Sequence, residues 1–178
     1  MTSSEARQIV DAGGVAEAVA KLAGLLAAAL RNQGSVFLAG VPTRGVPLAV
    51  RLQKALALAG MQVACGTVDI SMYRDDLGLR SGVAPLRGTE LPLDLENWSI
   101  VIVDDVQQTG RTARAAMEAV LAFGRPKRIF YAVLADRGGR ELPVRPDFSA
   151  LELSVAPEVR LRVRLAETDD GEEGVFEL

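Results

Sequence analysis

Histidine is absent from this sequence of 178 residues, and cysteine and aromatic residues are scarce. Without histidine the chain lacks the commonest general acid–base group and the commonest metal ligand, so catalysis would depend on carboxylates, charge and positioning. The single cysteine, Cys65, excludes an intramolecular disulfide, and we interpret it as a small buried apolar residue. Aromatic residues make up 4% of the chain, and an apolar content dominated by Ala, Val and Leu suits parallel strands covered by helices.

A strong charge imbalance and a targeting signal are missing as well. The 20 basic and 23 acidic residues give a net charge of -3, which does not indicate nucleic acid binding, although a local basic face could be contained in that total. Residues 1–8 are polar and lack the basic-then-apolar build of a signal peptide. The apolar run at residues 22–30 is too short to span a bilayer and has charged residues on either side. We expect one soluble domain in the cytoplasm.

Helix and strand patterns alternate along the chain, which predicts an α/β fold with a mostly parallel sheet flanked by helices. Helices are predicted over residues 15–32, 46–58 and 113–123. Buried strands are predicted over residues 35–39, 63–71, 100–103 and 128–135, and further strand character appears at 151–155, 160–165 and 174–178.

The most informative stretch joins the apolar run at residues 100–103 to two carboxylates, Asp104 and Asp105, and then to a Thr-Gly-Arg-Thr turn at residues 109–112. Open α/β sheets bind ligands at the carboxyl ends of their strands. The start of the following helix offers unpaired N–H groups and a positive dipole end, which suit a phosphate. The two acids can accept hydrogen bonds from ribose hydroxyls, so this stretch predicts a site for a phosphorylated sugar.

A second glycine-bearing loop, residues 40–45, connects a predicted strand to a predicted helix and can form an anion site from backbone N–H groups. Thr43 and Arg44 could hold a pyrophosphate through a hydroxyl and a bidentate guanidinium. Taken alone, the loop is explained equally well as an ordinary turn with a surface arginine. Its combination with the Asp104 turn in one sheet favours the anion site.

A long polar segment with glycine and proline, residues 72–97, follows the third predicted strand. Connections of this length are usually lids or disordered loops, and we predict a flexible flap that closes on the substrate and excludes water. The alternative is a two-stranded excursion with solvated charges. The candidate flap residues are Tyr73, Arg74, Asp75, Asp76, Arg80 and Arg87, with the three arginines as candidate phosphate contacts. A third loop rich in Arg, Gly and Asp, residues 136–147, completes a pocket at one sheet edge.

The Asp104–Thr112 stretch resembles the phosphoribosyl-pyrophosphate (PRPP) signature of type I phosphoribosyltransferases. Together with the Thr43-Arg44-Gly45 loop, Val68–Asp76, Gly124-Arg125-Pro126 and Asp136–Pro143, it resembles the PyrR family, pyrimidine operon attenuation regulators that are also uracil phosphoribosyltransferases. The resemblance covers residues 40–148 well and both ends poorly. It implies a type I phosphoribosyltransferase fold with a small hood over the base: one domain over residues 1–178, with a core at 35–165, a flap at 72–97 and a hood at 136–160 plus the tail.

The resemblance implies the reaction of uracil with PRPP to give UMP and pyrophosphate, with Mg²⁺ bound through PRPP and not directly by the protein. Asp104, Asp105 and Arg44 are the implied catalytic residues. The implied substrate-binding residues are Thr43, Arg44, Asp104, Asp105, Val106, Gln107, Gln108, Thr109, Gly110, Arg111, Thr112 and, in the hood near the uracil, Arg137. PRPP, uracil and UMP are the implied ligands, and a homodimer or tetramer is the implied assembly.

The chain departs from the family pattern at three places. Gln107 and Gln108 replace an apolar and an aromatic residue of the usual Asp-Asp-Val-Leu-Tyr-Thr-Gly-Arg-Thr, and Gly139 stands where histidine is common. Residues 14–21 lack the basic stretch that family members use for RNA. Because RNA affinity comes mostly from neutralised phosphates, the PRPP site is better supported than a leader-RNA site.

Two other functions remain open on the sequence. The first is a UMP-sensing RNA-binding attenuation regulator with weak or no enzyme activity, whose basic face would use Arg125, Lys127, Arg145, Arg160, Arg162 and Arg164. The last three arginines are two positions apart in the sequence, which places them on one side of a strand. The other interpretation is that this strand face is solvated and pairs with acidic neighbours. The second is a phosphoribosyltransferase that uses a different base.

Overall fold

The computed structural model describes residues 6–74 and 88–178 and contains a five-stranded and a three-stranded sheet. The strands are β1 (Arg7–Val10), β2 (Ser35–Gly40), β3 (Ala64–Thr67), β4 (Trp98–Gln107), β5 (Arg128–Asp136), β6 (Phe148–Glu152), β7 (Leu161–Arg164) and β8 (Gly174–Glu177). The α-helices are α1 (Ala12–Leu30), α2 (Gly45–Leu58) and α3 (Arg111–Phe123), and short 3₁₀ turns lie at Ser71–Tyr73 and Leu95–Asn97. This architecture confirms the predicted α/β class.

The larger sheet is parallel and has the strand order β3-β2-β4-β5-β6. Its central strand is β4, in which Ile100, Val101, Ile102 and Val103 are fully buried. The strand continues through both acids to Gln107, beyond the predicted end at residue 103, because the pairing with β5 persists to the Gln107–Asp136 pair. The two acids therefore belong to the end of the strand ladder and not to a free loop.

Helices cover both faces of this sheet, and the alternation of strand side chains decides which core each residue joins. Val101 and Val103 pack with α1 and α2 on one face. Ile100 and Ile102 pack on the other face against α3, whose buried residues are Ala113, Ala115, Ala116, Ala119 and Val120. Small alanines let α3 lie close to the sheet, which brings its first residues near the end of β4.

Several element bounds differ from the predicted ones. Strand β1 was not predicted, because four residues with two exposed positions carry no clear pattern, and it forms only by pairing antiparallel to β8. Strand β3 ends at Thr67, and the rest of the predicted strand becomes a turn, in which Asp69 accepts a hydrogen bond from the Ser71 N–H. Strand β6 lies three residues earlier than predicted.

Within the described ranges, α1 is the helix that has the length and apolarity to cross a membrane, judged on those two properties alone. The whole helix is longer than the apolar run considered from the sequence. Val15, Leu22, Leu26 and Leu30 are fully buried in the core shared with α2 and the sheet. These residues place one face of α1 in the core of the fold, and solubility and a cytoplasmic location stay predictions.

Candidate active site

Two successive carboxylates lie at the carboxyl end of β4. Asp104 is 6% exposed and Asp105 is half-buried. The Asp105 N–H donates to Oδ1 of Asp104 over 2.9 Å, and the Val106 N–H donates to Oδ1 of Asp105 over 2.8 Å. Burial and, to a smaller extent, the charge of Asp105 raise the pKa of Asp104 well above its ordinary value, and Arg74 opposes this shift. Such a pair at a sheet edge is a typical feature of a functional site.

The turn that follows the acids leads into α3 through Gly110, whose φ of 90° is a left-handed conformation that favours glycine. Gly110 provides no side-chain cap for α3, and the first turn of the helix contains no acidic residue. The Arg111 N–H donates a long hydrogen bond of 3.3 Å to the Thr109 hydroxyl. The predicted residues 109–112 therefore form a turn at the positive end of the α3 dipole, and this arrangement can hold a phosphate.

Backbone hydrogen bonds connect this turn to the loop after β5 (residues 136–147), which is part of the predicted hood and is called the hood loop below. The carbonyl oxygen of Thr109 accepts from the N–H groups of Glu141 and Leu142 over 3.0 and 2.9 Å. The Gln107 carbonyl accepts from the Arg137 N–H over 3.1 Å. Arg111 forms an ion pair with Glu141 at 2.7 Å, although both side chains are about half exposed. The turn after β4 and the loop after β5 thus form one connected wall.

The loop at residues 40–45 reaches the same edge of the sheet. The Val41 N–H donates to the Val103 carbonyl over 2.9 Å. A Cβ on Gly45 would collide with that same carbonyl oxygen, so glycine is required for the approach of α2 to β4. No side chain caps α2 either, and Thr43 and Arg44 directly precede it. Two helix N-termini without side-chain caps therefore flank the acid pair.

The guanidinium of Arg44 is held by Asp169 from the loop between β7 and β8, here called the acidic loop (residues 165–173). Nε of Arg44 donates to Oδ2 of Asp169 over 2.9 Å and Nη2 donates to Oδ1 over 2.5 Å. This bidentate bond raises the pKa of Arg44, with a further contribution from the charge of Asp105. Sequence reasoning missed Asp169, because the run of acids at 167–173 predicted only a turn.

Gln107 is 1% exposed, and its amide connects three segments. Its Oε1 accepts a hydrogen bond from the Tyr131 hydroxyl over 3.0 Å, and its Nε2 donates to the carbonyls of Gln108 and Val144, each over 3.4 Å. Tyr131 is a second residue that the sequence did not indicate. Burial raises the pKa of the Tyr131 phenol well above its ordinary value, and the nearby carboxylates add to the shift.

Arg137, the predicted hood residue, is 6% exposed. Its Nη2 donates to the carbonyl of Ala156 over 3.2 Å, while Nε and Nη1 have no hydrogen-bond partner among the described residues. An unsatisfied buried donor is costly, and because both nitrogens are closed off from solvent, a ligand oxygen would contact them only after the surrounding groups shift. Gly139, in the same loop, has a φ of 72°, and a Cβ there would lie 4.0 Å from Cγ of Gln108.

The predicted flap is described at its two ends. The carbonyl of Tyr73 accepts from Nη2 of Arg114 over 3.1 Å, and Arg74 lies close enough to Asp104 to affect its pKa. At the far end, the Glu90 N–H donates to the Thr67 carbonyl over 2.8 Å. The candidate flap residues Asp75, Asp76, Arg80 and Arg87 lie outside the described residues.

Two of the three alternating arginines, Arg162 and Arg164 on β7, pair with the acidic loop. Arg164 forms an ion pair with Glu172 and lies 4.5 Å from the ring centroid of Phe176. Arg162 lies 3.9 Å from Asp169. These contacts support the interpretation of a strand face paired with acidic neighbours over that of an open basic face.

No group of three or more acidic or cysteine side chains in residues 6–74 and 88–178 is arranged to hold a metal ion. Mg²⁺ in phosphate sites usually takes one or two carboxylates, with substrate oxygens and waters completing the coordination. The carboxylates of Asp104 and Asp105 therefore suit an ion that arrives with a polyphosphate ligand.

Comparison with known proteins agrees with this geometry. The phosphoribosyl transferase domain family matches residues 5–158. The chain is 44% identical over 173 residues to the "Bifunctional protein PyrR" of Roseiflexus sp. (strain RS-1), covering 96% of this chain and 93% of that one. It is 47% identical over 142 residues to the protein of the same name from Deinococcus radiodurans, covering 78% of each chain.

Solved structures with this fold include the HGPRT-ase of Leishmania tarentolae in complex with GMP, with a TM-score of 0.71, 22% identity and 99% coverage of both chains. The crystal structure of the hypoxanthine phosphoribosyltransferase of Trypanosoma cruzi has a TM-score of 0.74 at 18% identity, covering 97% of this chain and 95% of that one. These identities establish the fold alone.

Proposed function

The chain belongs to the PyrR family of type I phosphoribosyltransferases, and from that membership and the site geometry we propose that it converts uracil and PRPP into UMP and pyrophosphate. The observation that carries the proposal is the placement of the acid pair. Asp104 and Asp105 lie between the N-termini of α2 and α3, neither of which has a side-chain cap. Helix N-termini without side-chain caps can bind anions, so this arrangement supports a ligand with phosphates at both ends of a ribose.

In this proposal the turn at residues 109–112 holds the 5′-phosphate of PRPP, because the α3 dipole and the first N–H groups of the helix favour an anion there. Asp104 and Asp105 accept hydrogen bonds from the ribose hydroxyls. When pyrophosphate leaves the anomeric carbon, positive charge develops on the ribose, and the nearby carboxylates stabilise it. Thr43 and Arg44 bind the departing pyrophosphate.

Mg²⁺ enters this scheme with PRPP, as is general for phosphoribosyltransferases. The ion would be held through the oxygens of PRPP, with the carboxylates of Asp104 and Asp105 beside it. The ion would neutralise charge on the pyrophosphate leaving group.

The hood supplies the base site. A uracil ring presents two carbonyl oxygens, and the unsatisfied Nε and Nη1 of Arg137 are donors that suit such acceptors. The chain has no histidine for this purpose, so backbone groups of the hood provide the remaining contacts. Hypoxanthine and guanine also carry a carbonyl oxygen, so the choice of uracil in this proposal rests on the family membership.

A PRPP-dependent assay with uracil, cytosine, hypoxanthine, guanine and adenine tests the proposal. We expect product with uracil, and the Asp104→Asn/Asp105→Asn double variant should lose turnover by about two to four orders of magnitude while remaining folded. Asp11→Asn is the matched control, because Asp11 caps α1 far along the chain from the acid pair and asparagine also caps helices. Turnover of another base, or unchanged activity in the double variant, would contradict the proposal.

A second candidate is a UMP-sensing regulator that binds a leader RNA. The name "Bifunctional protein PyrR" of the relatives supports a second activity. The pairing of the β7 arginines with acids and the Ala-rich sequence of α1 provide little basic surface for it. A gel shift with leader RNA over a salt series, with and without UMP, tests this function; the absence of salt-dependent binding in both series would exclude it.

We also propose that the protein forms a homodimer or tetramer, as the family resemblance implies. Leu121 and Phe123 at the end of α3 are more than half exposed and offer apolar surface for such an interface. Sedimentation velocity of the purified chain tests the assembly, and a monomer at micromolar concentration would contradict it.

A further inference from the structure

The acidic loop contacts α2 through two arginines that lie seven positions apart in the sequence. Asp169 binds Arg44 at the start of the helix. Glu167 and Glu173 bind Arg51 about two turns further along, with N–O distances of 2.7 and 2.6 Å. The same loop therefore makes one contact beside the candidate pyrophosphate site and one contact away from it.

The Asp169 carboxylate is itself held in place. Its Oδ2 accepts hydrogen bonds from the Leu165 N–H over 3.0 Å and from the Thr168 hydroxyl over 2.8 Å, in addition to Nε of Arg44. The side chain is 8% exposed, and the Glu172 N–H closes the loop onto the Asp169 carbonyl over 2.9 Å. A carboxylate with this many fixed donors imposes its own orientation on the guanidinium that it binds.

The bond to Asp169 occupies one edge of the Arg44 guanidinium. Nη1 has no hydrogen-bond acceptor among the described residues, and the charge of Asp105 is close enough to act on Arg44. Arg44 therefore lies between the acidic loop and the acid pair, beside the N-terminus of α2. Its unoccupied edge is available to a ligand oxygen.

We propose that Asp169 is a positioning residue for pyrophosphate binding, which acts by fixing the guanidinium of Arg44 beside the N-terminus of α2. This inference rests on the proposed function, because it assigns Arg44 to the pyrophosphate group of PRPP. A free arginine side chain loses rotamer freedom when it binds a ligand, whereas one already held by a carboxylate loses little. Asp169 thus increases the affinity of the protein for pyrophosphate, although both the Asp169 carboxylate and pyrophosphate are negatively charged.

The sign of the effect separates positioning from simple electrostatics. If only charge mattered, removal of Asp169 would strengthen the binding of an anion, because a nearby negative charge is lost. If Asp169 positions Arg44, its removal weakens the binding in spite of that lost charge.

The experiment compares the wild type with Asp169→Asn and with Glu167→Gln, the matched control that loosens Arg51 from the same loop. Isothermal titration with Mg²⁺-pyrophosphate gives affinity without turnover, and steady-state kinetics with PRPP and uracil give KM and kcat separately. For Asp169→Asn we expect pyrophosphate affinity lower by about tenfold and a KM for PRPP higher by a similar factor, with the KM for uracil within about twofold of wild type. Glu167→Gln should keep all these constants and lower only the melting temperature.

Unchanged or tighter pyrophosphate binding in Asp169→Asn would overturn the inference, as would an equal loss in Glu167→Gln. If the proposed function is wrong, the experiment gives a different result from the one expected when only the positioning role is wrong. In that case the wild type forms no UMP from uracil, yet pyrophosphate binding still depends on Asp169. If UMP forms but Asp169→Asn binds pyrophosphate as the wild type does, the function stands and the positioning role is lost.

Discussion

The hydroxyl of Tyr131 on β5 donates a buried hydrogen bond of 3.0 Å to Oε1 of Gln107 at the end of β4. The bond joins the central strand β4 to its neighbour β5 immediately before the turn proposed to hold the 5′-phosphate. Because Gln107 also donates to the Val144 carbonyl, its amide connects β4, β5 and the hood loop. Gln107 replaces an apolar residue of the family pattern, and the structure shows that the replacement has a buried partner.

We expect this pair to be coupled in stability. Gln107→Leu should lower the free energy of unfolding by about 1–3 kcal/mol, because the Tyr131 hydroxyl is left buried without an acceptor. Tyr131→Phe removes that unsatisfied donor, so the double variant should be less destabilised than the sum of the two single variants by about 1 kcal/mol. Urea denaturation of the four proteins measures the coupling. Strictly additive effects would show that the bond contributes nothing.

The charged form of Asp104 should lower the free energy of unfolding at neutral pH, although the same carboxylate is proposed to bind the substrate. Its pKa in the folded protein is raised by burial above the ordinary 3.8, so the folded state holds the proton more tightly than the unfolded state. Stability therefore falls as pH rises through the interval between the unfolded and the folded pKa. Asp104→Asn should raise the melting temperature at pH 7 by about 2–4 °C, the shift that 1 kcal/mol produces in a domain of this size.

The same comparison at low pH provides the control for Asp104. Below the ordinary pKa of 3.8 the carboxyl is protonated in both states, so wild type and Asp104→Asn should melt at the same temperature. If the melting temperature of Asp104→Asn exceeds that of the wild type by the same amount at both pH values, the cause is packing and not the charge of Asp104.

Gly45 should not tolerate a side chain. Because a Cβ at this position would collide with the Val103 carbonyl, Gly45→Ala should destabilise the fold by about 1–3 kcal/mol and move the start of α2 away from Asp104. Gly24→Ala is the matched control: it lies inside α1 with open space around its Cβ and should stabilise by about 0.5–1 kcal/mol. Thermal denaturation of both variants measures the two changes in melting temperature. Equal changes in Gly45→Ala and Gly24→Ala would contradict the close approach of α2 to β4.

The ion pair of Asp169 predicts an acid-dependent loss of stability. The hydrogen bonds from Arg44 lower the pKa of Asp169 below its ordinary 3.8. The ion pair therefore stabilises the fold fully at pH values above the pKa that Asp169 has in the unfolded chain. This stabilisation is lost as the pH falls towards the pKa that Asp169 has in the folded protein. Urea denaturation of the wild type and Asp169→Asn should differ most from about pH 5 upwards and converge towards about pH 2. If the difference in unfolding free energy between the two proteins grew as the pH fell, the stabilising ion pair between Asp169 and Arg44 would be contradicted.

Much of the fold could be predicted from the sequence, because its signals are local. The run Ile100–Val103 is apolar on both faces and predicts a buried parallel strand, and the Gly110 turn and the Ala-rich α3 follow from their own residues. The structure brings the predicted Thr43–Gly45 loop to the same sheet edge through the Val41–Val103 hydrogen bond. The roles of these residues towards PRPP stay predictions.

The sequence by itself determined the order of the helices and of strands β2 to β8, the acid pair and the two glycine-bearing turns, since each depends on neighbours a few positions away. Only the tertiary structure decided the partners of Arg44 and Gln107, which are Asp169 and Tyr131, 125 and 24 positions away. It also decided that β1 pairs with β8 and that Arg137 is buried with two nitrogens that have no partner in the described part of the chain. Such contacts depend on where distant segments meet after folding, and periodicity and turn chemistry carry no information about that.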